Sequence, residues 1–384
     1  MAIPSQKVKD VLPPFYRDFL PDFVEALVPV ETLATCDDCA MCQKGGEEDP
    51  GGIYFSPESK CCTYYPNLPN YLVGALLSDP DPQLEEGRRR VREKIKERIG
   101  VMPQGVQTPR KYTLLYQMTK DGFGRSQSLL CPFYDQDQGN CTVWRYRESA
   151  CTTFFCKFVI GADSSEFWRA LHNYLVLVQR TLVQFTLHEL GFPAPVALEP
   201  MPTHLSGPHV QLTIEDVDEV SPSERTYEES WGKWVGREEE VYLQSYRLVS
   251  ELTREEFEKL VGITSRIQLA QLEQKRRHMM NSALPATLKR NPGLQVSRSG
   301  DDYLLVTHSK WQPIRLQRPI YEILDYFDGR QTNEEVLRRI RVEKKAQLEQ
   351  DLLVHLFHFR ILVPPEHQEA TTTAGQPVSD PVRQ

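Results

Sequence analysis

No cysteine follows Cys156 in this 384-residue chain, no apolar run reaches membrane-spanning length, and no basic excess offsets the net charge of -8. Each absence removes a class of function. A protein whose main task is gripping a phosphate backbone carries surplus Lys and Arg, so the acidic balance argues against nucleic acid as the partner. The longest apolar stretch, "NYLVLVQRTLVQFTL", is broken by Arg180 and two glutamines and falls short of the ~20 residues of a span. The N-terminal "MAIPSQKVKDVLPPFYRDFLPDF" is interrupted by prolines and charges and lacks the unbroken apolar core of a signal peptide. A cytoplasmic address without membrane partners is therefore the expectation. Also missing are a Gly-rich loop after a strand, which would mark a nucleotide or methyl-donor site, and the C-x3-C-x2-C spacing of radical-type clusters.

The cysteines that are present stand close together. All nine (Cys36, Cys39, Cys42, Cys61, Cys62, Cys131, Cys141, Cys151 and Cys156) lie in the first part of the chain. Cysteine used as a small hydrophobe would be scattered over every core; this clustering means that one module uses the thiols together. In a reducing compartment such thiols are metal ligands or redox groups rather than bridges. "TCDDCAMCQ" sets three at a two-residue interval, the spacing with which a tight turn aims thiolates at one ion. A redox dithiol has the same spacing, but the pair at 61–62 and the four later thiols extend the pattern beyond it.

Sulfur-only donors select zinc or iron, the latter including a 4Fe-4S cluster, and disfavour magnesium and calcium. Cys131 is followed by Pro132, as cluster-ligating cysteines often are. Nine thiols fill two four-coordinate sites with one to spare, or one cluster plus one zinc. A zinc that only staples a loop-rich lobe and a set of disulfides are the alternatives.

The organisation expected along the chain is α+β and mainly helical. A cysteine-cluster metal lobe with a supporting helix covers 1–192, a linker and helical segment 193–282, a small winged-helix domain 285–365, and a disordered tail 366–384. Within the first unit, "GGEEDPGG" at 45–52 reads as a flexible loop and 81–100 as a charged helix. "KYTLLYQMTKDGFGRSQSLLC" reads as a strand hairpin delivering Cys131. "DSSE" reads as a helix cap, with Asp163 at the N-cap and Glu166 reaching back. Phe167, Leu171, Tyr174, Leu175, Val178, Leu182 and Phe185 then recur at helical spacing up to Gly191. "TREE" and "TNEE" open two further helices. His355 and His358, lacking a carboxylate or cysteine partner nearby in sequence, read as core edge.

The order of these cysteines resembles the zinc- or iron-chelating cysteine-cluster family, the YkgJ-like proteins. The resemblance rests on the CxxC group with its Cys pair, "CPF" at 131–133, "GNC" at 139–141, "YRE" at 146–148, and the closing Cys151 and Cys156. It covers roughly residues 36–158. The Gly-rich insert before the pair and the additional early cysteine depart from the family order and single out Cys42. The resemblance implies a thiolate-bound metal. Because the family includes flagellin lysine N-methylase-like proteins, it also implies, as the alternative, an enzyme that modifies a peptide or protein.

The C-terminal "ILDYFDG" and "TNEEV" are similar to PqqD-like winged-helix modules, which implies peptide recognition at a sheet edge near Tyr303 to His308. A packing domain without ligand is the plain alternative. With 13 Lys and Arg against 10 Asp and Glu in this region, DNA binding is disfavoured. A structural adaptor without chemistry completes the alternatives.

Overall fold

A computed structural model describes residues 4–45, 54–193, 213–281 and 283–366. The loop expected beyond Gly45, part of the linker, and the tail after Glu366 lie outside the described residues. Two short strands, β1 (Ser5–Lys7) and β2 (Leu27–Pro29), pair antiparallel around α1 (Val8–Val11). β3 (Leu68–Pro69) leads into α2 (Asn70–Ser78), whose residues are buried on nearly every face. Acidic residues open α3 (Glu85–Glu97) and lysines close it, in the sense that favours the helix dipole. It stops at Arg98 in a left-handed conformation, just before the expected Gly100.

β4 (Val101–Met102) and β5 (Gly105–Val106) complete a three-stranded sheet with β3. There follow α4 (Arg110–Met118), the hairpin β6 (Tyr134–Asp135) and β7 (Asn140–Cys141), α5 (Ser149–Thr153), and the long α6 (Gly161–Glu189). Beyond the linker lie α7 (Ile214–Asp218), α8 (Glu224–Trp231), α9 (Glu238–Ser250) and α10 (Arg254–Met279). α10 packs along α6 and α9 along α2. One apolar core therefore runs from Val8 through Tyr174 and Tyr242 to Met279. The capping box at Thr253 and Glu256 is present as expected.

The C-terminal unit has its own core, from Leu288 to Leu362. After β8 (Lys289–Arg290), β9 (Gln295–Ser299), β10 (Asp302–Val306) and β11 (Ile314–Leu316) form a sheet with β9 exposed at one edge and β10 central, so the edge expected near Tyr303 to His308 is instead a strand paired on both sides. α11 (Arg318–Ile323), α12 (Asn333–Lys344) and α13 (Gln350–His358) follow. Leu362–Val363 pairs back with Lys289–Arg290. This is the winged-helix arrangement expected, and Thr332 and Glu335 form its second capping box. The whole chain is mixed α+β and mainly helical.

Two further local expectations fail. The segment expected as a hairpin before Cys131 is the helix α4 and a chain of turns. Tyr112 and Tyr116, four residues apart, are both buried on one face, and the Tyr112 hydroxyl donates to the carbonyl of Leu129 at 2.7 Å and also to that of Thr63. The second correction concerns Asp163, which does not cap a helix. α6 has already begun at Gly161, and the Asp163 carboxylate is buried, accepting from His358 Nδ1 at 2.6 Å and Arg360 at 2.7 Å.

The winged helix is seated on the cysteine-bearing half. Gln312 pairs with the Phe158 backbone in both directions at 2.9 Å. Trp311, 5% exposed, inserts among Phe55, Phe123 and Phe154, with ring centroids 6.0, 5.3 and 6.1 Å away.

Candidate metal centre

Local chemistry delivers the nine thiols one segment at a time. The Cys42 amide donates to Cys39 O at 3.1 Å, making a tight turn, and the Phe55 amide donates to Met41 O at 2.7 Å. Met41, 1% exposed, anchors that loop in the core. The next turn bends at Lys60, which has a positive φ of 49°, to present Cys61 and Cys62. Gly124, at φ 77°, comes so close to the Phe55 ring that any side chain there would overlap it, and its amide donates to Thr63 Oγ1 at 2.6 Å. The Cys131 amide then donates to Cys62 O at 2.8 Å, tying the second half of the cysteine set to the first. Cys141 sits on β7 opposite Tyr134, Cys151 on α5, and Cys156 just beyond it.

All nine sulfurs are free thiols. Their electrostatic neighbours fall into two groups. Cys62 faces Cys131, Cys141 and Cys151, and Cys151 in turn faces Cys131, Cys141 and, least of the three, Cys61. Cys36, Cys42 and Cys156 each face Cys39 and Cys61. The adjacent, hydrogen-bonded Cys61 and Cys62 thus lean toward different groups, and Cys141 and Cys151, both within reach of Cys61, stand at the seam between them. Among the described residues no three Cys, His, Asp or Glu side chains are already drawn into the spacing of a bound ion. The thiols stand instead as neighbouring pairs, Cys42 hydrogen-bonded to Cys39 and Cys61 to Cys62.

Burial pushes the Cys141 thiol up to about 11 and Cys156 up to about 12, and also raises Cys131 and Cys151 well above the ordinary value. The hydrogen bond with Cys62, and then burial, lift Cys61 well above the ordinary value. Cys36 is the one exposed cysteine residue, yet desolvation of its sulfur and the nearby Cys61 and Cys39 raise it to about 11. Thiols held this high ionise when a cation takes the proton's place, as happens when metal binding releases protons. The donor set, all sulfur and all reduced, fits a thiophilic ion.

Several groups around the thiols were not singled out from the sequence. Lys60 donates to Cys36 O and Gly139 O, both at 2.9 Å, so its ammonium spans the rim between two cysteine-bearing loops. Arg147 and Glu148 are buried beside Cys141 and Cys151, in the first group. Their positions lie in the quoted "YRE", but nothing in their spacing separates them from ordinary surface charges.

Burial pushes the Glu148 carboxyl up to about 7, although Tyr64 and the Ala150 amide bond its charged form. Folded Glu148 therefore keeps its proton to about pH 7, whereas unfolded it loses it above ~4.3. Folding loses stability as pH rises through that interval. Glu148→Gln is expected to melt several degrees above wild type at pH 8 and with no gain at pH 4, as thermal unfolding would read. An equal gain at both pH values would refute this.

No family model, curated protein or solved structure matches the chain. Among the described residues no helix is long and apolar enough to cross a membrane.

Proposed function

We propose that the chain is a metal-binding protein that holds zinc or iron, the iron either as single ions or as a 4Fe-4S cluster, through its clustered thiolates. The observation that carries the reading is that the seven other free thiols, from four separate segments, all have Cys61 or Cys62 as an electrostatic neighbour. Cys62, Cys131, Cys141 and Cys151 make one four-sulfur site. The second site draws on Cys36, Cys39, Cys42, Cys61 and Cys156, with the exposed Cys36 as the sulfur left over. A reducing compartment, the cytoplasm, keeps such thiols free.

The test is anaerobic purification with iron, zinc and acid-labile sulfide measured per chain and a visible spectrum recorded. Two filled sites are expected in wild type and in Cys36→Ser, and one in Cys62→Ser, each site counting one metal as a single ion or four irons with four sulfides as a cluster. Broad visible absorption with stoichiometric sulfide indicates a cluster, and colourless protein with zinc alone indicates zinc-thiolate sites. Metal-free wild type overturns the reading.

A second reading, an enzyme that modifies a peptide or protein, has one observation in its favour. The winged helix, with its exposed edge strand β9, is seated through Trp311 directly on the cysteine lobe. An extended peptide adding to such an edge would lie on the domain that contacts the metal site. A mass shift in a candidate peptide that vanishes with Cys61→Ser would support it, and a shift that persists would remove the lobe from the chemistry.

A further inference from the structure

Arg147 is a buried cation without a carboxylate. It is 8% exposed, its two terminal nitrogens donate to the backbone carbonyls of Trp144 at 2.7 Å and Val11 at 2.9 Å, and its Nε–H has no hydrogen-bond partner. The guanidinium lies 3.8 Å from the centre of the Trp144 ring. Arg90, the other arginine within reach of the four-sulfur site, differs: it is held by Glu86 at 2.6 Å. Among the described residues Arg147 makes no ion pair, and the hydrogen bonds of neighbouring Glu148 go to Tyr64, Ser149 and the Ala150 amide.

A guanidinium stays protonated at any working pH. Burying one without an anionic partner is unfavourable. The groups facing it that can become anionic are Cys151, Cys141 and Cys36.

We infer that Arg147 is the fixed counter-charge of the four-sulfur site, a positioning residue whose buried cation stands against the negative charge that the bound ion's ligands carry and whose Nε–H is still unpartnered. The inference rests on the metal-binding reading above. Four thiolates around a divalent ion leave a surplus of two negative charges. In a buried site that surplus raises the cost of binding unless a cation or donor stands against it. Lys60, at the rim near Cys36 and Cys42, stands in the same relation to the other group. A purely architectural Arg147 would instead serve only to tie Val11 and Trp144 together.

The experiment measures zinc affinity by competition with a chromophoric chelator, and the sulfur-to-metal charge-transfer band after loading with cobalt(II). Both use the full chain, with Cys131→Ser identifying which binding step belongs to the four-sulfur site. Arg147→Gln and Arg147→Met are expected to weaken that step about 10- to 100-fold, the usual scale for losing an outer-sphere partner. The other step should stay unchanged, and Arg147→Lys, which keeps the charge and loses the fork, should bind within about fivefold of wild type. Unchanged affinity in Arg147→Met, or a Lys variant as weak as the Met variant, overturns the inference. Should the neutral variants fail to fold, Arg147→Lys decides alone, a loss beyond tenfold counting against it. Failure of wild type to bind zinc or cobalt would instead strike the metal-binding reading itself.

Discussion

Asp163→Ala is expected to loosen the winged helix from the rest of the molecule. The carboxylate, 1% exposed, gathers His358 at 2.6 Å, Arg360 at 2.7 Å and His278 at 3.4 Å, so it joins α6, α10 and the end of α13 at one point. Removing it leaves a half-buried guanidinium whose remaining anion, Glu166, sits at 3.2 Å and is shared with Lys275. Breaking a buried pair by deleting one partner costs about 3 kcal/mol or more. The C-terminal core from Leu288 to Leu362 is independent of Asp163. Thermal unfolding should therefore split into two transitions, with protease cutting first between the two cores. A single transition at the wild-type temperature would show that the network contributes nothing to docking.

Gly74→Ala is expected to be strongly destabilising. A Cβ at Gly74 would lie 1.9 Å from the carbonyl oxygen of Tyr242 and 2.8 Å from Tyr246 Cβ. The obstructing oxygen is helix backbone, which cannot swing aside as a side-chain tip could. α2 and α9 must separate to admit the methyl, and α9 also packs on α6, which carries Asp163. The expected loss is about 3 kcal/mol or more, at the upper end for overpacking, read as a fall in melting temperature or in soluble yield. Gly45→Ala, where a Cβ meets nothing within 4 Å, is the matched control and should melt with wild type. A Gly74→Ala protein as stable as that control would mean the two helices are not held this close.

These two sites show where sequence reasoning reaches and where it stops. The capping boxes at Thr253 and Thr332 were legible because each is closed by a residue three positions away. The cysteine set was legible for a related reason, since turns that aim sulfurs at a common point leave their interval in the chain. Asp163 was misread as a cap because its partners, His358 and Arg360, stand almost two hundred positions later. His358 in turn looked like core edge for want of a carboxylate nearby in sequence. α4 was misread because "KYTLLYQM" has the aromatic and β-branched content of a strand. Its burial on one helical face depends on Thr63 and Leu129, which no local pattern announces. Arg147 and Glu148 were opaque because charge alone does not tell whether a side chain meets water or sulfur.

The seat of Trp311 also bears on how autonomous the cysteine lobe is. Its indole completes an aromatic packing unit whose other members, Phe55, Phe123 and Phe154, belong to the lobe, and Phe55 bridges Cys42. Severed from the winged helix, the lobe would turn a sticky aromatic socket toward solvent beside its own sulfurs. The two halves are thus a single heritable unit, and recombination that exchanged one without the other would have to bring a matching plug.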